Sequence, residues 1–370
     1  MNMRDFSAVR RIVVKIGTNC LTGPDGIDEA FIHEIASQIA RLKEYGYSPL
    51  IVTSGAIGMG ARELGITGKV KKIRLRQALA AIGQPVLMYT YREAFLAHRI
   101  PVAQVLLTRE VFDNRKTYLN LRQAVETLLE LGAIPIFNEN DSVSTAEIGT
   151  AFGDNDTLSA HIASKIDAQL LVILTDIDGL YTADPREDPS ATLIPQVEEI
   201  TPRILALAGD AGTTHATGGM RTKLRAAQIA GEAGCMVVIA HGRKERILER
   251  ILAGEEEGTL FLPQARRSQR ERWILQARPK GNIVVDEGAY RALLSRKSLL
   301  PSGIREVEGH FDAGEVVTVN RTIKAIAALS SEEILLVRGR HSSQVKEILG
   351  HESPDVVIRA DDVVIPSKNE

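Results

Sequence analysis

The sequence predicts an α/β protein, with a mostly parallel sheet sandwiched by helices, followed by a small C-terminal β-barrel. Three observations carry that expectation. Over the first two thirds, short apolar runs alternate with longer stretches whose apolar residues recur at helical spacing, which is the pattern of doubly buried strands and the helices that cover them. Glycine recurs where a short run gives way to a helical one, as in "VVKIGTN", "IVTSGAIG" and "ATGGMRTK". Near Phe261 the pattern changes to brief β-rich runs separated by turn residues.

Taken in order, "RIVVKI" reads as a buried strand and "DEAFIHEIASQIARLKEYG" as a helix that ends at Gly46. "SPLIVTS" is a strand, "AIGMGARELG" begins a helix, and "RLRQALAAIGQPVLMYTYREAFLAH" is a long helical stretch with Pro85 as a possible kink. The strand "PVAQVLLT" and the helix "YLNLRQAVETLLELG" follow, then the strand "AIPIF", an acidic segment, and the helical run "TLSAHIASKI". "AQLLVILT", "GGMRTKLRAAQIAGEAG" and "CMVVIA" complete the alternation as strand, helix and strand. "LPQARRSQRERWILQARPKG" reads as a solvated connector, and "NIVVD", "GIREVEG", "GEVVTVN", "KAIAALS" and "EILLVRG" as the β-rich runs of a second domain. The expected division is residues 1–262, a linker at 263–280, a second domain at 281–358 and a tail at 359–370.

Composition narrows the function. The 370 residues carry a formal net charge of -2 and 4% aromatic residues, which speaks against nucleic acid or an anionic membrane as the main partner. The N-terminal residues run straight into a strand, with no signal peptide and no apolar stretch long enough to span a bilayer, so the cytoplasm is the expected compartment. Cys20 and Cys235 are the only cysteines. With no metal-ligand spacing around them, they read as small buried hydrophobes, and no protein-built metal site is expected.

The glycine turns carry the chemistry. Glycine at a helix start lets backbone N–H groups approach an anion, and the helix dipole favours negative charge there. Two of the three turns also bring a lysine, Lys15 and Lys223, and preplaced cations suit the charge of a transferring phosphoryl group. The sequence has no G-x-x-x-x-G-K-[ST], no H-R-D or D-F-G set, and no G-x-G-x-x-G after the first strand, so the P-loop, protein-kinase and dinucleotide-binding scaffolds are not indicated. Where "AIPIF" meets the next helix, "NEND" and "GDND" concentrate acids and amides. Such a loop suits an acid that holds the lysines in register.

In this setting the motifs "VVKIGTNCLT", "VTSGAIGMG", "ALAAIGQ", "NENDSV", "GDNDTLSA", "LTDIDGLYTADPR" and "ATGGMRTKLRAA" occur in one order. With them the chain resembles the glutamate 5-kinases of the amino acid kinase family over nearly its whole length. The tail "VDEGAYRALLSRKSLLPSGIREVEGHFDAGEVV" resembles a PUA domain. The resemblance implies ATP-dependent phosphorylation of the side-chain carboxylate of L-glutamate, the first step of proline biosynthesis, with Mg²⁺ carried on the nucleotide phosphates. It implies proline as a feedback inhibitor and a dimer or tetramer. It assigns Lys15, Lys223 and Asp156 to catalysis. Lys15, Gly17, Thr175, Asp176 and the loop Thr217, Gly218, Gly219, Met220, Arg221, Thr222 and Lys223 would hold the nucleotide. Ser54, Gly55, Asn138, Asp141, Asp154 and Asn155 would hold glutamate, with Asp141 on its ammonium and Asp156 on the two lysines. Asn19 stands where the family commonly has serine.

Two alternatives remain from the residues. One is another amino acid kinase, acting on acetylglutamate, aspartate or carbamate, since phosphate motifs alone do not choose the acid. The other is an RNA-binding protein working through its tail.

Overall fold

Strands that are apolar on both faces need cover on both faces, and the helices supply it. The computed structural model describes residues 4–23, 26–68, 70–143, 155–208, 219–263, 268–350 and 353–365. The chain divides into two units, Met1–Val111 with Lys116–Arg266 and Phe112–Arg115 with Arg267–Glu370.

The first unit is built on strands β1 (Arg11–Ile16), β2 (Ser48–Val52), β3 (Val102–Leu107), β4 (Ile134–Glu139), β5 (Leu170–Thr175), β6 (Gln196–Val197), β7 (Met236–His241) and β8 (Thr259–Phe261). They form one sheet in the order β3-β4-β2-β1-β5-β7-β8-β6. Every pairing is parallel except β7 with β8. The chain builds outward on one side of β1 through β2, β3 and β4, and then continues on the other side with β5. That reversal makes the carboxyl ends of β1 and β5 the expected ligand crevice.

The helices of this unit are α1 (Glu29–Glu44), α2 (Ala56–Glu63), α3 (Ile73–Leu96), α4 (Arg115–Glu130), α5 (Asn155–Lys165) and α6 (Met220–Glu232). Alternate strand residues Ile12, Val14, Ile16, Ile136, Leu170, Val172 and Leu174 share a core with Ile32, Ile35 and Ile39 of α1 and Leu87 and Tyr91 of α3. Burial of each such leucine or isoleucine stabilises the fold by about 1.5–3 kcal/mol. On the opposite face α5 lies against β1 and β5, and α6 against β7. Pro85 does not interrupt α3. Proline leaves the carbonyl four residues earlier without its helical donor; here both Pro85 and Ala81 are on the exposed side, where water can serve that carbonyl.

Helices α2 and α3 meet backbone to backbone. A Cβ at Gly60 would overlap the Leu79 carbonyl, and one at Gly83 would overlap the Ala56 carbonyl and the Gly60 nitrogen. Backbone cannot move aside as a side chain can, so Gly83→Ala is expected to cost about 2–3 kcal/mol. Equilibrium urea unfolding checks this; an unchanged midpoint would show that the helices separate easily.

The second unit has its own sheet. Strands β9 (Gly281–Val285), β10 (Ile304–Gly309), β11 (Val316–Val319), β12 (Ile323–Ile326) and β13 (Val363–Val364) run in the order β10-β9-β11-β12-β13. Its core is separate and includes Ile283, Leu293, Phe311, Val317, Val319, Ile323 and Val357.

Two expectations fail here. The stretch read as a solvated connector contains helix α7 (Gln269–Gln276), whose Trp273, Ile274 and Leu275 are buried against Val316, Ile326 and Val364. The run "EILLVRG", read as β-rich, lies largely within a helix (Ser331–Val337) that buries Ile334 and Val337. Both helices open with a capping box, Ser268 with Glu271 and Ser330 with Glu333, which satisfies two N-terminal donors at once and favours helix over strand.

Candidate active site

Four adjacent strands, β4, β2, β1 and β5, end on the same edge of the sheet. Lys15 is next to last in β1, opposite Val52 of β2 and Ile173 of β5. Ser54 follows β2, Asn138 is next to last in β4, and Thr175 closes β5. Parallel pairing therefore brings residues from distant parts of the sequence to one edge.

Helix α5 delivers the acid. It is buried along nearly its whole length, and its small residues Ser159, Ala160, Ala163 and Ser164 permit close approach. Asp156, in its first turn, is 0% exposed. Its Oδ1 lies 2.6 Å from Lys15 Nζ and its Oδ2 3.2 Å from Lys223 Nζ. Thr222 Oγ1 donates to the same Oδ2 at 3.1 Å. Lys15 is 4% exposed and Lys223 5%. One buried carboxylate thus holds two buried ammonium groups, and the Asp176 carboxylate also feels the Lys223 charge. Fixed positive charge gathered in this way at the carboxyl edge of the sheet suits an anionic ligand.

The helix starts complete the picture. Gly17 precedes the single turn Thr18–Leu21, Gly55 precedes α2 and Gly219 precedes α6, and no side chain caps any of the three. Gly55 has φ +99, a conformation that side chains resist. It turns the chain sharply from β2 into α2. Gly17 sits against the Leu174 carbonyl, and its N–H donates to that carbonyl at 2.9 Å. Close approach of backbone, rather than positive φ, is what glycine provides there.

Beyond β5, Thr175 Oγ1 donates to Asp176 Oδ1 at 3.0 Å, and Asn19 Nδ2 donates to Asp176 Oδ2 at 2.8 Å. Burial works to raise the Asp176 carboxyl, but the hydrogen bonds and the Lys223 charge outweigh it, and it lies below the usual carboxylate range. Asn19 thus ties the first glycine turn to the fifth strand. Nearby, burial, with help from Asp176, pushes the Cys20 thiol up to about 11. Both cysteines are buried, as the sequence suggests.

The amide cluster lies across from the lysines. Asn155 Nδ2 donates to the Thr53 carbonyl at 2.6 Å, and it lies 2.9 Å from Ser54 Oγ and 3.0 Å from Asn138 Oδ1. Asn138 Nδ2 donates to Gln84 Oε1 at 2.8 Å. Asp141 stands apart, in a turn just after β4. Burial raises its carboxyl above the usual range, with Arg76 pulling the other way.

Of the residues singled out from sequence, the structure joins Lys15, Asp156, Thr222 and Lys223 in one cluster. Ser54, Asn138 and Asn155 form a second, and Thr175 and Asp176 a third. Gly17, Gly55 and Gly219 are at the helix starts, with Met220 and Arg221 in the first turn of α6. Asp154, Thr217 and Gly218 lie outside the described residues. Sequence reasoning passed over Gln84. Its signal was a polar residue on the apolar stripe of α3, in line with Ala80, Leu87 and Tyr91.

The model of the amino acid kinase family matches residues 10–241, the span that contains every residue of these clusters. The chain belongs to the amino acid kinase family. A PUA domain model matches residues 281–349 of this amino acid kinase. Curated relatives carry the same arrangement from end to end. The glutamate 5-kinase of Methanosarcina barkeri is 46% identical over 370 residues, which covers 96% of this chain and 97% of that protein. Those of Citrifermentans bemidjiense and Geobacter sulfurreducens are each 46% identical, covering 96% and 97% of this chain and 98% of each relative.

Proposed function

We propose that this amino acid kinase transfers the γ-phosphoryl group of ATP to the side-chain carboxylate of L-glutamate, giving ADP and L-glutamyl 5-phosphate. The observation that carries the phosphoryl-transfer reading is the buried Lys15–Asp156–Lys223 group at the carboxyl edge of the sheet. The choice of glutamate is supported by the end-to-end likeness to glutamate 5-kinases.

The reaction needs no general base. A side-chain carboxylate with a pKa of about 4.3 is already ionised near neutrality, and one of its oxygens can attack the γ-phosphorus directly. The obstacle is repulsion between two anions. Lys15 and Lys223 offset it by bringing fixed positive charge to the phosphoryl oxygens as charge redistributes in the transition state. Asp156 keeps both ammonium groups in register before substrates arrive. The N–H groups that open the helical turns after Gly17 and Gly219 would face the nucleotide phosphates, and Thr175 and Asp176 the rest of the nucleotide. With Asp156 committed to two lysines, the site offers a divalent cation phosphate oxygens rather than a cage of carboxylates. Mg²⁺ held on the nucleotide phosphates, with waters completing its shell, fits that donor set; it supplies further neutralisation of phosphate charge.

Glutamate is oriented by Ser54, Asn138 and Asn155, with Asp141 meeting its ammonium. Asp141→Asn is expected to raise the glutamate KM about ten- to hundredfold, since a charge-assisted hydrogen bond contributes about 1.5–3 kcal/mol, and to leave the ATP KM unchanged. A pH dependence follows from the raised carboxyl. A carboxyl raised in the folded protein stays neutral to higher pH, and only its ionised form pairs with an ammonium. Beyond the change that ionisation of the substrate's own carboxyl brings, glutamate affinity should therefore improve as pH rises through a window just above the usual carboxylate range, and Asp141→Asn should remove that further improvement. The matching stability contribution has the opposite sense: it is present at low pH and is lost as pH rises through the folded-state value. Initial rates from pH 4 to 7 decide the matter; a variant with the wild-type pH profile would detach Asp141 from the ammonium.

The substrate is tested by measuring ADP release with glutamate, N-acetylglutamate, aspartate and carbamate as acceptors. Release that is strongest with N-acetylglutamate or aspartate would replace the glutamate reading with that of another amino acid kinase.

A further inference from the structure

We infer that Gln84 is a positioning residue for the acid substrate: its side-chain oxygen accepts from Asn138 and helps hold Asn138, and through it Asn155, in the orientation that the Thr53 carbonyl and the Glu139 N–H select, with Asn155 Oδ1 turned to the substrate's ammonium. The last part rests on the reading proposed above.

The argument begins with two groups that cannot turn over. The Thr53 carbonyl belongs to the backbone and can only accept, and the nearest side-chain donor is Asn155 Nδ2 at 2.6 Å. The Glu139 N–H also belongs to the backbone and can only donate, and it meets Asn138 Oδ1 at 3.0 Å. Asn155 Nδ2 and Asn138 Oδ1 then face each other at 3.0 Å as donor and acceptor. Asn138 Nδ2 is turned the other way, onto Gln84 Oε1 at 2.8 Å. Exchanging oxygen and nitrogen in Asn138 would set N–H against N–H at Asn155 and oxygen against oxygen at Gln84. The three amides therefore share one orientation.

Both ends of this chain are informative. At one end Asn155 Nδ2 has three acceptors for two hydrogens: the Thr53 carbonyl, Ser54 Oγ and Asn138 Oδ1. Its Oδ1 accepts no hydrogen bond among the described residues, and on the proposed reading it takes one from the substrate. At the other end Gln84 is 8% exposed and its Nε2 is buried with no hydrogen-bond partner. A buried amide donor without a partner is costly. An aliphatic residue would fill this place on the apolar stripe of α3 without that cost, so what glutamine adds is the acceptor oxygen that faces Asn138. The position is also held firmly. The neighbouring Gly83 is in backbone contact with Ala56 and Gly60 of α2. Two turns further along α3, Tyr91 Oη is 2.9 Å from Thr53 Oγ1. Gln84 is thus anchored to the same end of β2 that carries Thr53 and Ser54.

The test is a double-mutant cycle in the full chain, with Gln84→Leu, Asn138→Ala and the double variant, read as Michaelis constants for glutamate and for ATP with Mg²⁺. Gln84→Leu should raise the glutamate KM about tenfold, the size expected when one buried hydrogen bond is lost and its partner left unsatisfied. The ATP KM should stay within about twofold, which a general loss of structure would not allow. In the Asn138→Ala background the same step should change the glutamate KM by less than about twofold, because the amide it acts through is gone. A full tenfold effect in that background would overturn the relay, as would an unchanged glutamate KM in the single variant or an equal rise in both constants. Gln84→Met, closer to glutamine in shape, gives the same readings should Gln84→Leu fail to fold. If the protein turns over a different acid of the panel, the glutamate reading falls, and the cycle is run and judged with that acid.

Discussion

Lys223→Ala is expected to lower turnover about 10²–10³-fold, the usual loss when one preorganised donor to a developing charge is removed, while the glutamate KM stays within about threefold. The geometry explains why the loss falls on rate. Lys223 Nζ reaches Asp156 from the first turn of α6, beside the uncapped start of that helix, and it lies across the carboxylate from Lys15. On the proposed reading it acts on the phosphate side of the site. The fold should survive, because Asp156 keeps its 2.6 Å pairing with Lys15 and its hydrogen bond from Thr222. Steady-state kinetics in saturating ATP separate the two constants. Near-normal turnover with a raised glutamate KM would move Lys223 to the acid substrate.

Asp156→Asn should act on both stability and rate. The change keeps the shape of the side chain and removes the charge that faces both lysines, at 2.6 Å from Lys15 Nζ and 3.2 Å from Lys223 Nζ. Two ammonium groups that are 4% and 5% exposed would then lack their counter-ion. Removing one partner of a buried ion pair typically costs about 3–5 kcal/mol, and the lysines would also lose their common register. Turnover should fall at least as far as in Lys223→Ala, and the urea midpoint should fall with it. ATP should restore part of the lost stability, since its phosphates provide negative charge in the same place. A variant as stable as the wild type, with or without ATP, would mean that the lysines do not depend on Asp156.

Much of this was legible in the sequence, for definite reasons. A strand such as Leu170–Thr175 is buried at every position, so its continuous apolar run marks it as interior to a parallel sheet. Lysine and glycine at a strand end point to phosphate because few other arrangements need both. The acid at 156 was legible only as part of a family motif: Asp156 and Lys223 are 67 residues apart, and nothing in local spacing brings them together. The two missed helices show the opposite limit. A short apolar run such as "EILLVRG" has no period long enough to separate helix from strand. The deciding signal was the serine and glutamate three residues apart that open each helix, a polar feature at the margin of an apolar reading. Gln84 was passed over for a similar reason. Its meaning comes from partners on β2, β4 and α5, and along its own helix it appears only as a break in an apolar stripe.

The central claim, that two lysines held by one carboxylate drive phosphoryl transfer to a carboxylate acceptor, is tested most directly by trapping the product. An acyl phosphate reacts with hydroxylamine to give a hydroxamate, whereas a phosphorylated amine or alcohol does not. With ATP, Mg²⁺, glutamate and hydroxylamine, the wild-type chain should form γ-glutamyl hydroxamate in step with ADP, and Lys223→Ala should form it about 10²–10³-fold more slowly. ADP released without hydroxamate, or hydroxamate formed equally fast by Lys223→Ala, would contradict the account.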